Sequence, residues 1–183
     1  MNDNLLPTVI ALLAATCFVC FIWGTGCHFV RKHKEWGGTS AISLLSLSGF
    51  GYFLWQVLFR PLSSLWIIAC ILFAVSLGLW SWALATTRAT PPTLAFTGDE
   101  PRFMLNAGPY RWIRHPFYSA YLLFWAGTAA ATPGIFGWAA VLILGAVYFV
   151  AARHEEGKFA RSALAARYAA YAAHTGMFLP WPG

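Results

Sequence analysis

The stretch LLPTVIALLAATCFVCFIWGTGCHFV, residues 5–30, contains no Asp, Glu, Lys or Arg. A helix that crosses a bilayer needs about 20 consecutive, mostly apolar residues, so this stretch is long enough to span. Pro7 suits the first helical turn, where its missing N–H costs nothing. The stretch predicts a membrane helix rather than a cleavable leader, because it has no basic segment in front of it.

Four more apolar stretches follow the first one along the chain. We expect spans at about residues 41–59, 62–85, 117–131 and 135–152. The last two are separated by Thr132-Pro133-Gly134, which predicts a helical hairpin. Aromatic and basic residues alternate near helical spacing over residues 153–174, which is typical of an amphipathic helix on a membrane surface.

The predicted fold class is therefore all-α, with about five transmembrane helices and a C-terminal interfacial helix. We expect two parts. Residues 1–85 form three N-terminal transmembrane helices, and residues 86–183 form a polar loop, the hairpin and the C-terminal helix.

Composition supports the membrane class. Of the 183 residues, 59% are hydrophobic and only 10% are charged, whereas a soluble domain carries about 25% charged residues. The net charge of +6 comes from a few localised side chains, which favours contacts with anionic lipids over nucleic acid. All four cysteines lie in apolar runs, where cysteine behaves as a small hydrophobe. We expect no disulfide and no metal site.

The distribution of Lys and Arg predicts the orientation. With five spans, one side of the membrane carries only Arg60, and the other carries the remaining eleven basic residues of the twelve. These eleven are Arg31, Lys32, Lys34, Arg88, Arg102, Arg111, Arg114, Arg153, Lys158, Arg161 and Arg167. Basic residues accumulate on the cytoplasmic side. We therefore expect the N-terminus outside and the C-terminus in the cytoplasm. The compact, Ala-rich chain favours a bacterial inner membrane.

Two polar clusters flank the predicted hairpin. The first is GPYRWIRHPFY, residues 108–118, and the second is Arg153-His154-Glu155-Glu156. Because a hairpin returns the chain to the interface where it began, the two clusters are predicted to be neighbours. Guanidiniums, an imidazole, phenols and two carboxylates in one place suit a zwitterion, and aromatic faces also attract onium cations.

The same segments carry a family resemblance. Residues 108–118 resemble the G-x-Y-x-x-x-R-H-P-x-Y signature of the isoprenylcysteine carboxyl methyltransferase and phospholipid methyltransferase family. Arg153-x-Glu155-Glu156, followed by Phe159, Tyr168 and Tyr171, is similar to the element that follows the hairpin in that family. The resemblance covers about the C-terminal half of the chain.

The resemblance implies methyl transfer from S-adenosylmethionine to a lipidic or isoprenoid acceptor at the cytoplasmic membrane face, most like isoprenylcysteine carboxyl O-methylation. It implies Arg153 and Glu156 as catalytic residues, with Arg153 holding the acceptor. It also implies a cofactor pocket made by Tyr110, Arg114, His115, Pro116, Tyr118, Glu155 and Glu156. The chain has no G-x-G-x-x-G after a strand, so a Rossmann cofactor site is not expected.

Three alternatives stay open at this point. N-methylation of a phospholipid amine would need a base, for which Glu155, Glu156 and His154 are candidates. An NADPH-dependent sterol or enone reductase also has a similar C-terminal half, although its 2′-phosphate would call for more basic residues. A non-enzymatic membrane partner or transporter is disfavoured, because no span carries a convincing ionisable residue near its centre.

Overall fold

The chain folds into helices, as the sequence predicts. The computed structural model describes residues 5–29, 36–89, 91–92 and 103–181. Within these ranges the only strand-like feature is an isolated parallel bridge between Ile113 and Gly176. The helices are α1 (Leu5–Cys27), α2 (Trp36–Phe59), α3 (Trp66–Thr86), α4 (Pro116–Ala131), α5 (Phe136–Ala160) and α6 (Ala165–Ala173), with a 3-10 turn at Gly108–Arg111 before α4.

Four of these helices, α1, α2, α3 and α5, are long and apolar enough to cross a membrane. Many of their large apolar side chains point outward: Leu12 on α1 is 62% exposed and Leu142 on α5 is 74% exposed. Helices satisfy their own backbone hydrogen bonds, so they can present such surfaces to lipid. The chain is therefore an integral membrane protein.

The centre of the fold is α4, which packs mainly against α3 and α5. Its side chains Phe124 and Trp125 are almost fully buried. The Phe124 ring lies 5.6 Å from that of Phe73 on α3 and 5.9 Å from that of Phe18 on α1. On the α3 side, Ser76 Oγ donates a 2.7 Å hydrogen bond to the carbonyl of Ala120. This packing fixes where the N-terminal end of α4 lies.

The predicted hairpin of α4 and α5 is confirmed. The chain turns between Ala131 and Phe136, and Gly134 adopts φ +93 in the turn, a backbone region that favours glycine. The two helices then pack along each other, which returns the end of α5 to the beginning of α4.

The predicted end of the last span is wrong. We expected it near residue 152 with a separate tail helix from residue 153, but α5 continues to Ala160. Arg153, Glu155 and Glu156 are good helix formers, and residues 153–156 contain no Gly or Pro to interrupt the hydrogen-bond ladder. The chain turns only after Arg161, where Ser162 Oγ accepts from the backbone N–H of Leu164, and α6 follows. The second cluster therefore lies on α5 itself.

Other boundaries differ by a few residues. Helix α2 begins at Trp36. Helix α3 begins at Trp66, because the turn before it includes Ser63, whose hydroxyl accepts a hydrogen bond from the backbone N–H of Leu65. The basic residues at positions 31, 32, 34 and 102 and the acidic pair at 99–100 lie outside the described residues.

The contact between α3 and α4 leads to a stability prediction. A Cβ at Gly127 would lie 2.7 Å from Phe73 Cε1, and Phe73 is 1% exposed, so its ring has little room to move. We expect Gly127→Ala to cost about 1–3 kcal/mol through overpacking and to lower the unfolding temperature measured in detergent.

The matched control is Gly78→Ala on α3, where a Cβ meets nothing within 4 Å. The control should unfold at the wild-type temperature or slightly above it, since alanine favours a helix. Equal unfolding temperatures for the two variants would contradict this packing.

Candidate functional site

The first cluster lies on the loop that leads into α4. The loop begins at Gly108, which has φ +56, and a Cβ there would collide with the Thr86 side chain. Tyr110 is buried in the following 3-10 turn, and burial raises the pKa of its phenol. The Tyr171 hydroxyl of α6 donates a 2.6 Å hydrogen bond to the Tyr110 carbonyl. The loop is therefore held from α3 on one side and α6 on the other.

Arg114 connects the two predicted clusters. Its Nε donates a 2.8 Å hydrogen bond to Glu156 Oε1, and the two side chains are only 14% and 11% exposed. Its Nη1 donates to the backbone carbonyls of Ala172 and Thr175. One guanidinium therefore ties the loop to α5, to α6 and to the segment after it.

His115 lies between the two carboxylates of α5. Its Nδ1 is 3.6 Å from Glu155 Oε2, and its Nε2 is 3.4 Å from Glu156 Oε1. The imidazole is 9% exposed. Within the described part of the chain, Nε2 is buried without a hydrogen bond of good geometry. The site thus keeps a polar atom whose hydrogen-bonding capacity is not used by the chain.

Tyr118, on the first turn of α4, extends the site from His115 towards Tyr148 of α5. Its hydroxyl donates a 2.5 Å hydrogen bond to Glu155 Oε1. Its ring stacks on His115 at 5.6 Å and on Tyr148 of α5 at 5.4 Å, nearly parallel in both cases. The three stacked rings therefore form an aromatic surface beside the Glu155 carboxylate, which is 31% exposed.

Pro116 and Arg153 differ from the other predicted site residues. Pro116 is buried at the first position of α4, where proline is well suited to begin a helix, and it has no polar group to offer a ligand. Arg153 is 65% exposed, and its Nη1 lies 3.5 Å from Glu156 Oε2. Its guanidinium is the most accessible cation of the site.

The prediction from sequence missed some residues that shape the site. Tyr148 lies within an apolar stretch, and apart from its phenol nothing in the sequence indicated that it belongs to the site. Residues 175–178 pair with the loop through their backbone, and backbone pairing between distant segments has no signature in side-chain chemistry. Among the described residues, no group of His, Cys, Asp or Glu is arranged to hold a metal ion.

The environment of His115 predicts a pH dependence of stability. Burial alone would lower the pKa of His115, but Glu155 and Glu156 outweigh burial and raise the pKa above its usual 6.5. Arg114 and the Tyr118 phenol also lie beside His115. The stabilisation is complete below pH 6.5, the pKa in the unfolded chain, and is lost as pH rises through the raised pKa.

We therefore expect the unfolding temperature to fall as pH rises above about 6.5, and His115→Gln to reduce that dependence. His174, exposed on the neighbouring segment, provides the control: His174→Gln should retain the wild-type pH profile. A profile unchanged in His115→Gln would show that His115 is not the titrating group.

Comparison with known proteins identifies the family. Residues 64–167 match the family model described as phospholipid methyltransferase, which is more than half of the 183-residue chain. No match was found among curated proteins. The matched range includes the loop, both arms of the hairpin and the paired carboxylates. The resemblance carried by residues 108–118 and 153–156 is thus confirmed, and the chain belongs to the phospholipid methyltransferase family of integral membrane methyltransferases.

Proposed function

We propose that this protein transfers the methyl group of S-adenosylmethionine to a lipidic acceptor at the cytoplasmic face of the membrane. The observation that carries the proposal is the meeting of Arg114 and His115 with Glu155 and Glu156 at one end of the hairpin. These residues lie about 40 positions apart along the chain and are drawn together within 2.8–3.6 Å.

The polar groups of the site fit the cofactor. S-adenosylmethionine ends in a zwitterion, so its carboxylate needs donors and its amine needs an acceptor. His115 has a buried Nε2 without a hydrogen bond of good geometry within the described residues, and Arg114 supplies a fixed positive charge beside it. Glu155 is the more exposed carboxylate. These features support Arg114, His115 and Tyr118 as the residues at the amino-acid end, with Glu155 and Glu156 near the amine or a hydroxyl and Tyr110 behind the loop.

When bound, the cofactor supplies a methyl group already activated by the positive charge of its sulfonium. The chain's own part is then to hold the reactants in line and to exclude water. The buried Arg114–Glu156 pair and the stack of Tyr118 on Tyr148 suit this task, because contacts within the chain hold both in place. The lipid part of the acceptor would enter from the bilayer between helices.

For the acceptor, we propose a carboxylate on an isoprenoid-like lipid, with Arg153 as its counter-ion. Within the described residues, three cationic side chains contact Glu156, namely Arg114, His115 and Arg153, and of these Arg153 is the one that is mostly exposed. Arg153 can therefore reach a second ligand. A carboxylate acceptor also needs no base, which fits a site whose carboxylates are already paired.

A second acceptor class is favoured by a specific observation. Glu155 is 31% exposed and lies beside the Tyr118 ring, a combination that attracts ammonium groups. It could also accept the proton that a phospholipid amine must lose before methylation. The description of the matched family agrees with this class.

Incubating the purified protein with membranes and methyl-labelled S-adenosylmethionine tests the function and separates the two acceptors. We expect label in the lipid fraction that mild base releases as volatile methanol, since a methyl ester is base-labile. Label that withstands base would assign the amine instead. No lipid label would overturn the proposal.

We also propose that α4 crosses the membrane as a fifth span, which places the N-terminus outside and the C-terminus in the cytoplasm. Its 16 residues extend about 24 Å, short of the roughly 30 Å hydrocarbon core. Burial among α1, α3 and α5 supports this, because a helix surrounded by protein need not match the lipid thickness. In the same scheme, α6 lies at the interface, and residues 86–183 form the catalytic part that α1 to α3 support.

A further inference from the structure

The segment that follows α6 carries an inference of its own. We propose that residues 175–181, which we name the strap, act as a positioning element that fixes Arg114 and His115 in the geometry that binds the cofactor. The inference rests on the proposed function. It adds a part of the chain that offers no charged side chain to the site and acts through its backbone.

The strap pairs with the loop through successive backbone hydrogen bonds. The N–H of Arg114 donates to the carbonyl of Gly176 at 2.8 Å, and the N–H of His115 donates to that of Met177 at 3.1 Å. In return, the N–H of Gly176 donates to the carbonyl of Trp112 at 3.0 Å. The backbone N–H groups of Arg114 and His115 are thus hydrogen-bonded to the carbonyls of two consecutive strap residues.

The strap also orients the side chains. The carbonyl of Thr175, together with that of Ala172, accepts from Arg114 Nη1, while Glu156 holds Nε of the same guanidinium. Because the fork of Arg114 is planar, partners at both nitrogens fix its plane. The Phe178 ring lies 6.1 Å from the imidazole of His115.

Two features keep the strap in place. The first is Gly176, where a Cβ would collide with the carbonyl of Leu179, so the fold of the strap over itself excludes any larger residue. The second is Ser119 of α4, whose buried hydroxyl donates a 2.7 Å hydrogen bond to the carbonyl of Phe178. Both lie outside the cofactor residues, so they can be changed without removing a ligand-binding group.

The test compares Gly176→Ala and Ser119→Ala with Gly78→Ala, whose Cβ meets nothing within 4 Å. The first readout is the dissociation constant for S-adenosylhomocysteine. We expect Gly176→Ala to weaken binding by about tenfold to a hundredfold, since a small displacement of positioned groups has effects of this size. Ser119→Ala should weaken it by about threefold to tenfold, because the hydroxyl gives up its 2.7 Å hydrogen bond to the strap at Phe178 and its longer, 3.1 Å contact with the carbonyl of His115. Gly78→Ala should bind as the wild type does.

The second readout needs no ligand. Amide hydrogen exchange at Arg114 and His115 should accelerate in the strap variants. Exchange at Ala139, whose N–H donates to the carbonyl of Ile135 at the start of α5, should stay at the wild-type rate. A third readout separates positioning from general destabilisation: KM for S-adenosylmethionine should rise, whereas KM for the lipid acceptor should not.

Wild-type affinity and wild-type exchange in both strap variants would overturn the inference, as would an equal rise in both KM values. Failure of the wild type to bind S-adenosylhomocysteine would instead overturn the proposed function, and the exchange rates would still decide whether the strap holds the loop. If Gly176→Ala does not insert into the membrane, Ser119→Ala carries the same test.

Discussion

Replacing Arg114 with alanine is expected to weaken binding of S-adenosylhomocysteine by at least about a hundredfold and to lower the unfolding temperature. Removing one member of a buried ion pair costs about 3–5 kcal/mol, because the remaining charge is left without compensation. Here the remaining charge is Glu156, 11% exposed. The carbonyls of Ala172 and Thr175 would lose their donor as well. Calorimetry measures the affinity, and thermal unfolding measures the stability.

The matched control for this prediction is Arg111→Ala. Arg111 lies three residues earlier on the same loop, but it is exposed and its guanidinium lies over the Trp112 ring at 5.6 Å. Within the described residues it forms no ion pair with Glu155 or Glu156. Its loss should change the affinity by less than about threefold, as expected for an exposed cation–π contact worth at most about 1 kcal/mol. Equal losses for the two arginines would mean that nonspecific charge, and not the buried pair, governs binding.

Glu156→Gln is expected to have the second-largest effect, again a loss of about a hundredfold or more in cofactor affinity. The carboxylate has Arg114 at 2.8 Å, His115 at 3.4 Å and Arg153 at 3.5 Å. Glutamine retains the shape but removes the charge, so Arg114 and Arg153 would lose the carboxylate that they share with His115, and only His115 would keep a carboxylate neighbour, Glu155. Its amide nitrogen would also oppose donors. Repulsion among the cations should then displace His115. Cofactor binding should weaken as a result, because the proposed function requires His115 at the amino-acid end of the cofactor.

A double-mutant cycle tests the pair directly. If Arg114 and Glu156 act on each other, the free-energy loss of Arg114→Met with Glu156→Gln is smaller than the sum of the two single losses. Thermal unfolding in detergent gives the three values on one scale. Additive losses would show that the two residues stabilise the protein independently.

Much of the fold could be predicted because it depends on long apolar runs. The hydrocarbon thickness fixes how many residues a span needs, so α1, α2, α3 and α5 have a strong signal. The end of α5 had no such signal in the sequence, because residues 153–156 fit both a continued helix and a separate surface helix. Only the turn at Ser162, a short-range hydrogen-bond pattern, ends the helix.

The sequence predicted the polar side chains of the candidate site but not the backbone pairing that holds them. Polar side chains at the ends of apolar runs were visible in the sequence: Arg114, His115, Glu155 and Glu156. The predicted hairpin implied that these side chains meet, and the observed distances between them support this. The strap pairs through amides and carbonyls that every residue has. Gly176 is required there for a steric reason that no local sequence pattern reveals.

We propose that the place where the loop meets α5 binds a sulfur nucleoside. Calorimetry of the detergent-purified protein against S-adenosylhomocysteine, with NADPH as the control, is the experiment that decides this. We expect saturable binding of S-adenosylhomocysteine, a large loss of that binding in Arg114→Ala, and no binding of NADPH. Binding of NADPH alone would overturn the proposed function and indicate a membrane reductase.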